Sequence, residues 1–167
     1  MNKIPMTEAG YKQLQEELKK LTSEDRPNII AAIAEARGHG DLSENAEYQY
    51  AKEQQSLIEG RIADLEASIS RAEVIDIKNI SGQDIKFGAT VEIEDDDTGK
   101  QQTYQIVGEY ESDIENKKLS INSPLARGLI GKLKDDSVEI NSPKGIKSYT
   151  IISVKYIWTL IIQIFGQ

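Results

Sequence analysis

Two carboxylates, Asp41 and Glu44, stand three positions apart in the stretch "IAEARGHGDLSENAEYQYAKEQQ". Oxygen donors of this kind suit Mg2+, which takes one or two carboxylates from protein while phosphates and waters fill its other positions. A lone pair is too few for tight binding by the chain alone, and suits completion of a metal site that a partner offers. The same spacing fits a capping box, with Asp41 at the cap of a helix and Glu44 at its third position, where a carboxylate meets the positive end of the dipole. The two roles can coexist, because a capped helix start would hold Glu44 still while the carboxylates face outward. His39, the single histidine, lies between two glycines. It is either a metal ligand or general base or a solvated turn residue, with no second ligand at a recognised spacing. Arg37 and Lys52 flank the acids on either side; they either steer a phosphate toward them or pair with Glu35 and Glu53 on the surface.

The elements that must position these residues are two helices. Tyr11, Leu14, Leu18 and Leu21 step by three and four along one helix face, with Thr7 and the acid after it as the start signal. Pro27, in "SEDRPN", lacks an amide hydrogen and clashes with the preceding turn, which predicts a kink or restart before the pattern resumes at Ile29, Ile30 and Ile33. Gly38 and Gly40 end that helix. A second helix is expected from about Leu42, with Ile58, Ile62, Leu65, Ile69 and Ala72 as a heptad seam. Helices joined by so short a glycine turn run antiparallel and pack together. At about 1.5 Å per residue, arms of about 30 residues reach about 45 Å. The hairpin is either a free rod or half of a bundle completed by other copies; the polar run "SENAEYQYAKEQQ" beside the tip argues against burial there.

After Val74 the composition turns β-branched, in "EVIDIKNI", "ATVEIEDDDTGKQQTYQIVGEY", "KLSINS", "SVEINS" and "KSYTIISVKYI". Alternation at Val91 and Ile93, then at Tyr104 and Ile106, marks a hairpin around "DDDTGK". That turn begins like a calcium loop but lacks the later bidentate Glu, and reads as a solvated turn. "SPLARGLIGKLKDD" predicts a short helix after Ser123, with Pro124 in its first turn. The fold class is therefore α+β. An antiparallel coiled-coil hairpin spans 1–76, with its acidic tip at 38–44; a mostly β domain spans 80–157, and an apolar tail spans 158–167.

Composition narrows the function. Of 167 residues, 28 are acidic and 20 basic, a net charge of −8, with the signs interspersed. Broad binding of nucleic-acid phosphates requires clustered Lys and Arg, so another protein must bring this chain to any nucleic acid. The absence of cysteine excludes disulfides and thiolate metal sites. The N-terminal run lacks the apolar core of a signal peptide, and "YIWTLIIQIFGQ" is too short to span a bilayer as a helix. These features predict a cytoplasmic protein. No phosphate-cradling glycine loop, nucleophile elbow or Cys/His cluster is present, which argues against a self-contained enzyme.

The runs "IIAAIAEARGHGDLSENAEYQYAKEQQ", "IEGRIADLE" and "INSPLARGLIGK", in that order and separation, resemble the bacterial Gre transcript-cleavage factors of the GreA type, over Ile4 to Ile157. The resemblance implies an N-terminal coiled coil and an FKBP-like C-terminal domain. It further implies that the C-terminal domain docks at the rim of the secondary channel of bacterial RNA polymerase while the coiled coil enters. Cleavage of backtracked nascent RNA then occurs in the polymerase active site, and the arrested complex resumes. Asp41 and Glu44 match the family's tip carboxylates, whose implied role is to help hold a loosely bound second Mg2+ and position the attacking water. The first metal stays on polymerase aspartates, and the chemistry is two-metal hydrolysis. On this reading the chain is not an enzyme but supplies carboxylates to one, and binds no metal tightly alone. Arg37 and Lys52 match a basic patch near the RNA. Asn122, Ser123 and Pro124 fall in the polymerase-docking loop, and Asn122 stands where the sister GreB type tends to have an acid. A monomer suits entry into a channel.

Three other roles compete: a channel-occupying inhibitor, against which the intact Asp41 and Glu44 argue; a coiled-coil adaptor or chaperone; and a prolyl isomerase, for which no apolar aromatic pocket is evident. Trp158 to Gln167 depart from the family pattern, and read either as a reading-frame extension or as an added strand or dimer contact. The expected result of removing Trp158 to Gln167 is better solubility with activity retained; loss of folding on that truncation would make the segment structural.

Overall fold

The computed structural model of the chain describes residues 2–40, 45–80 and 82–157. They form two compact units, 2–3 with 11–40 and 45–72, and 4–10 with 73–80 and 82–157.

The first unit is the helical hairpin. Its leading arm comprises α1 (Glu8–Lys20), a π-helical turn (Leu21–Asp25) and α2 (Arg26–Arg37); its returning arm is α3 (Ala46–Ser70). The sequence predicts a kink or restart at Pro27, and the chain instead stays in right-handed helical conformation, with φ −62 at Lys20, −67 at Asp25 and −62 at Arg26. The π turn explains this. The Arg26 amide reaches back five residues to the Leu21 carbonyl, and this wider turn accommodates a proline that can neither donate nor tolerate a close carbonyl four residues behind it. Leu14, Ile33, Ala36, Ala51, Ile62 and Leu65 are buried in the seam, and Ile58 and Ile69 are half-buried. Buried Ser68 satisfies its hydroxyl on the Asp64 carbonyl at 2.9 Å.

Two bidentate ion pairs tie the arms, Arg26 to Glu59 at 2.7 and 2.8 Å and Arg61 to Glu17 at 2.7 and 2.9 Å.

The second unit is mostly β. A five-stranded sheet runs in the order β5-β4-β3-β7-β6, built from β3 (Thr90–Asp95), β4 (Gln101–Val107), β5 (Lys118–Ser120), β6 (Ser137–Ser142) and β7 (Gly145–Lys155). All neighbours are antiparallel except β4 and β5. Val91 faces Tyr104 across the β3–β4 hairpin, and alternate residues Val91, Ile93, Tyr104 and Ile106 are buried, as a period of two demands. In "DDDTGK" two of the three carboxylates are engaged by protein donors: Asp95 Oδ1 accepts from Asp97 N at 2.9 Å, and Asp96 accepts from the Ser148 and Thr150 hydroxyls, each at 2.6 Å. Those hydroxyls hold the Asp96 carboxyl below its ordinary range. Helix α4 (Pro124–Leu129) lies on the sheet, and a Cβ at Gly128 would stand 2.6 Å from Ile140 Cδ1. Ile85, Ala89, Leu119, Ala126, Leu129, Val138 and Ile151 complete the core.

A short strand, β1 (Ile4–Thr7), pairs with β2 (Ala72–Ile75) in a separate two-stranded sheet. Four residues including Pro5 carry too little periodicity to read from sequence. Thr7 caps α1 as its position suggests, its Oγ1 accepting from Gly10 N at 3.0 Å. It is also bound to Glu111 at the end of a 3-10 turn (Glu109–Glu111): Thr7 N and Gly108 N each donate to Glu111 Oε2 at 3.0 Å, and the Thr7 hydroxyl donates to Oε1. These bonds place Ile4–Gly10 with the β unit.

The ion pairs make hairpin stability depend on pH. The hydrogen bond from Arg61, and next its charge, hold Glu17 below the ordinary 4.5 against the opposing effect of burial; the hydrogen bond from Arg26 does the same for Glu59. A carboxylate depressed on folding stabilises above its unfolded value, and that stabilisation disappears as pH falls through the folded value. Thermal midpoints should therefore fall on acidification below about pH 4.5. The E17Q/E59Q variant should be slightly less stable at neutral pH and show a shallower acid slope. An unchanged slope would assign the acid sensitivity to other groups.

Candidate functional site at the hairpin tip

Helix α2 ends where glycine permits it to. Gly38 donates to the Glu35 carbonyl at 3.0 Å and His39 to the Ala36 carbonyl at 3.1 Å. Gly40 then takes a φ of +117, a conformation that side chains rarely allow. Asp41 and Glu44 lie outside the described residues, in the connection between α2 and α3.

Helix α3 begins at Ala46, four residues later than expected from Leu42, and its cap is Asn45. This corrects the capping-box reading of Asp41 and Glu44. Asn45 Oδ1 accepts from Tyr48 N at 3.1 Å, satisfying an amide that the helix itself cannot. Its Nδ2 donates to the Ala36 carbonyl at 2.7 Å. One side chain therefore starts the returning arm and joins it to the end of the leading arm. Asp cannot replace it in both roles, because an ionised carboxylate has no hydrogen to give Ala36.

The flanking residues add two more ties. His39 Nδ1 lies 3.0 Å from Glu47 Oε2, with both side chains exposed, and the Arg37 guanidinium stands 5.9 Å from the centre of the Tyr48 ring, within cation–π range. Lys52 Nζ donates to Gln55 at 3.2 Å. Arg37 and Lys52 thus engage Tyr48 and Gln55 rather than the Glu35 and Glu53 that sequence proximity suggests. Both remain exposed. His39 has a carboxylate partner that spacing did not reveal, since Glu47 comes near only through the chain reversal. The signal for Asn45 was present in its residue type, among the best helix caps. Asp41 offered an equally good cap type four residues earlier. Among the described residues no three His, Cys, Asp or Glu side chains gather into a metal site.

In the β unit, Asn122 and Pro124 are exposed. Asn122 Nδ2 donates to Glu109 at 3.3 Å. Ser123 caps α4, accepting from Ala126 N at 3.2 Å and donating to the Ser120 carbonyl at 2.7 Å, and Pro124 opens the helix. This corner is held by its own bonds while presenting Asn122 and Pro124 outward.

Residues 4–74 match the family model "Transcription elongation factor, N-terminal", and residues 80–156 match "Transcription elongation factor, GreA/GreB, C-term". The chain belongs to the GreA/GreB family of transcription elongation factors. It is 60% identical over 157 residues to transcription elongation factor GreA of Paracoccus denitrificans (strain Pd 1222), covering 94% of this chain and 100% of that one. It is 58% identical over 156 residues to the protein of the same name from Chelativorans sp. (strain BNC1), covering 93% of this chain and 99% of the other. Among solved structures, GreA factor homolog 1 of Thermus thermophilus is 27% identical, with 92% of this chain and 99% of that chain covered and a TM-score of 0.43. The helical hairpin and mostly β unit are the α+β architecture expected of this GreA/GreB chain.

Asn45→Ala removes both the cap and the tie to Ala36. It should lower stability by about 1–2 kcal/mol, the scale of a lost helix cap, as read by chemical denaturation. A change below about 0.3 kcal/mol would show that water replaces both bonds without cost.

Proposed function

We propose that this elongation factor stimulates cleavage of backtracked nascent RNA within bacterial RNA polymerase in the cytoplasm. Its hairpin would enter the secondary channel, with the β unit docking at the rim through Asn122, Ser123 and Pro124. The observation that carries this reading is the Asn45 cap. With α3 started by Asn45, Asp41 and Glu44 are not its cap, and two carboxylates remain in the connection between the arms.

These carboxylates would share Mg2+ with the polymerase site. Their chemistry fits: Mg2+ prefers oxygen ligands and accepts a few from protein when phosphate and water complete the set. When bound there, Mg2+ supplies the charge that stabilises the attacking and leaving oxygens of phosphodiester hydrolysis. Asp41 and Glu44 would contribute ligand oxygens to it and orient the attacking water. Arg37 and Lys52 add positive charge on either side of the connection and draw the RNA phosphates toward it. Asn45 contributes by fixing where α3 starts. The chain works as a monomer and is a donor of groups rather than a nuclease, since the remaining ligands belong to polymerase.

In a purified backtracked elongation complex with labelled RNA and Mg2+, the parent chain should shorten the RNA from its 3′ end. The D41A/E44A variant should bind equally and cleave about 100-fold more slowly, a loss of about 3 kcal/mol in transition-state stabilisation. Equal cleavage by both would move the catalytic role elsewhere. Binding without cleavage by the parent would make this factor a channel blocker.

A further inference from the structure

Beside the β3–β4 turn, the face of the five-stranded sheet that carries the core also lines a cavity of about 210 Å3. Ile93, only 1% exposed, gives it an apolar wall. Strand register gathers the polar lining. Gln102 on β4 opposes Ile93, Tyr149 on β7 opposes Asp95, and Lys147 lies two residues before Tyr149 on the same face. Thr98 and Lys100 come from the turn itself.

That turn is braced from within. Asp95 Oδ1 accepts from the amides of Asp97 at 2.9 Å and Thr98 at 3.3 Å, Gly99 N donates to the Asp95 carbonyl at 2.7 Å, and Lys100 N donates to Thr98 Oγ1 at 3.2 Å. Gly99 takes a φ of +73, which suits glycine. The backbone carrying Thr98 and Lys100 is thus set before any ligand arrives.

Charge around the cavity is unbalanced. Two ammonium groups, of Lys100 and Lys147, line it against the single carboxylate of Asp95. Lys147 Nζ stands 3.8 Å from Asp95 Oδ2, too far for a hydrogen bond. Among the described residues Lys100 has no carboxylate within ion-pair distance. Asp96 does not supply the missing charge, because it accepts from Ser148 and Thr150, which alternate with Lys147 and Tyr149 and lie on the opposite face. The other polar groups offer hydrogens. The Tyr149 hydroxyl has no hydrogen-bond partner among the described residues, and Gln102, whose Oε1 accepts from Tyr104, keeps its amide hydrogens.

We propose that this cavity binds a small phosphate-bearing anion. Phosphate presents several acceptor oxygens to such donors, and its bonds to ammonium groups are charge-assisted. Lysine meets it as a point charge, so no fork geometry is needed. At about 210 Å3 the cavity is smaller than the roughly 300–1,000 Å3 of pockets for drug-sized ligands, which suits phosphate or pyrophosphate rather than a whole nucleotide. A chain of net charge −8 repels anions at long range, so retention depends on these local donors. The site lies within the β unit and binds whether or not the chain stimulates cleavage.

The test is an NMR titration of the full-length chain with inorganic phosphate and with pyrophosphate, at an ionic strength held constant with chloride. Lys100→Ala, Lys147→Ala and Asp95→Asn are titrated beside the parent. The parent should show saturable shifts centred on the amides of Thr98, Gly99, Lys100, Gln102 and Tyr149, with a Kd for pyrophosphate of about 1 mM or lower. Each lysine variant should bind about tenfold more weakly, the scale of one lost charge-assisted bond. Asp95→Asn keeps an oxygen for the turn amides and loses the opposing charge, so it should bind more tightly. Shifts that do not saturate by about 10 mM overturn the proposal, as does parental affinity in both lysine variants. Unchanged or weaker binding by Asp95→Asn with its turn amides unmoved overturns it too, and decides the matter if a lysine variant fails to fold. A single-stranded RNA oligonucleotide at matched phosphate concentration that shifts the same amides more tightly than pyrophosphate would make the site a nucleic-acid contact and overturn the small-anion assignment.

Discussion

An antiparallel hairpin requires the chain to reverse at one end, and there the last carbonyls of one helix and the first amides of the next lack intrahelical partners. Asn45 meets both needs, giving its amide hydrogens to the Ala36 carbonyl and accepting from the Tyr48 amide. The apolar seam of Ile33, Ala36, Ala51, Ile62 and Leu65 needs one register between the arms, and a side chain bonded to both arms at the turn provides it. The Arg26–Glu59 and Arg61–Glu17 pairs repeat that register farther along. Because these pairs face solvent, they contribute more to alignment than to stability.

The same economy governs the start of α1. Thr7 is at once the cap of a helix and a donor to Glu111, and the 3-10 turn that carries Glu111 closes on itself through Gly108. A carboxylate held by amide and hydroxyl donors in a shielded place is bonded more strongly than a surface ion pair.

These features suit a protein whose chemistry is completed by a partner. Two carboxylates cannot make a strong metal site alone, and the net charge of −8 gives no reason to bind nucleic acid indiscriminately. On the proposed function the chain would contribute placement, through a helical arm, a turn held by Asn45 and, at exposed positions, Arg37 and Lys52.

Much of this was legible in one sequence. The helix periods, the Gly38–Gly40 stop, the Thr7 cap, the β3–β4 alternation and the Ser123-Pro124 helix start all follow from interactions within a few residues, so local pattern carries them. Asp41 and Asn45 offer equally good cap types, and only the proximity of the Ala36 carbonyl, nine residues before Asn45, chose between them. Pro27 announced a disturbance, and the chain met it by widening into a π turn closed by the Arg26 amide on the Leu21 carbonyl. The pairing of His39 with Glu47, the stacking of Arg37 on Tyr48 and the bond from Thr7 to Glu111 were invisible for the same reason. Helix periods and the chemistry two acids could offer follow from residue types and their spacing alone. Tertiary structure decided which donor meets which acceptor, because bonds between residues distant in sequence exist only after the chain has folded back on itself.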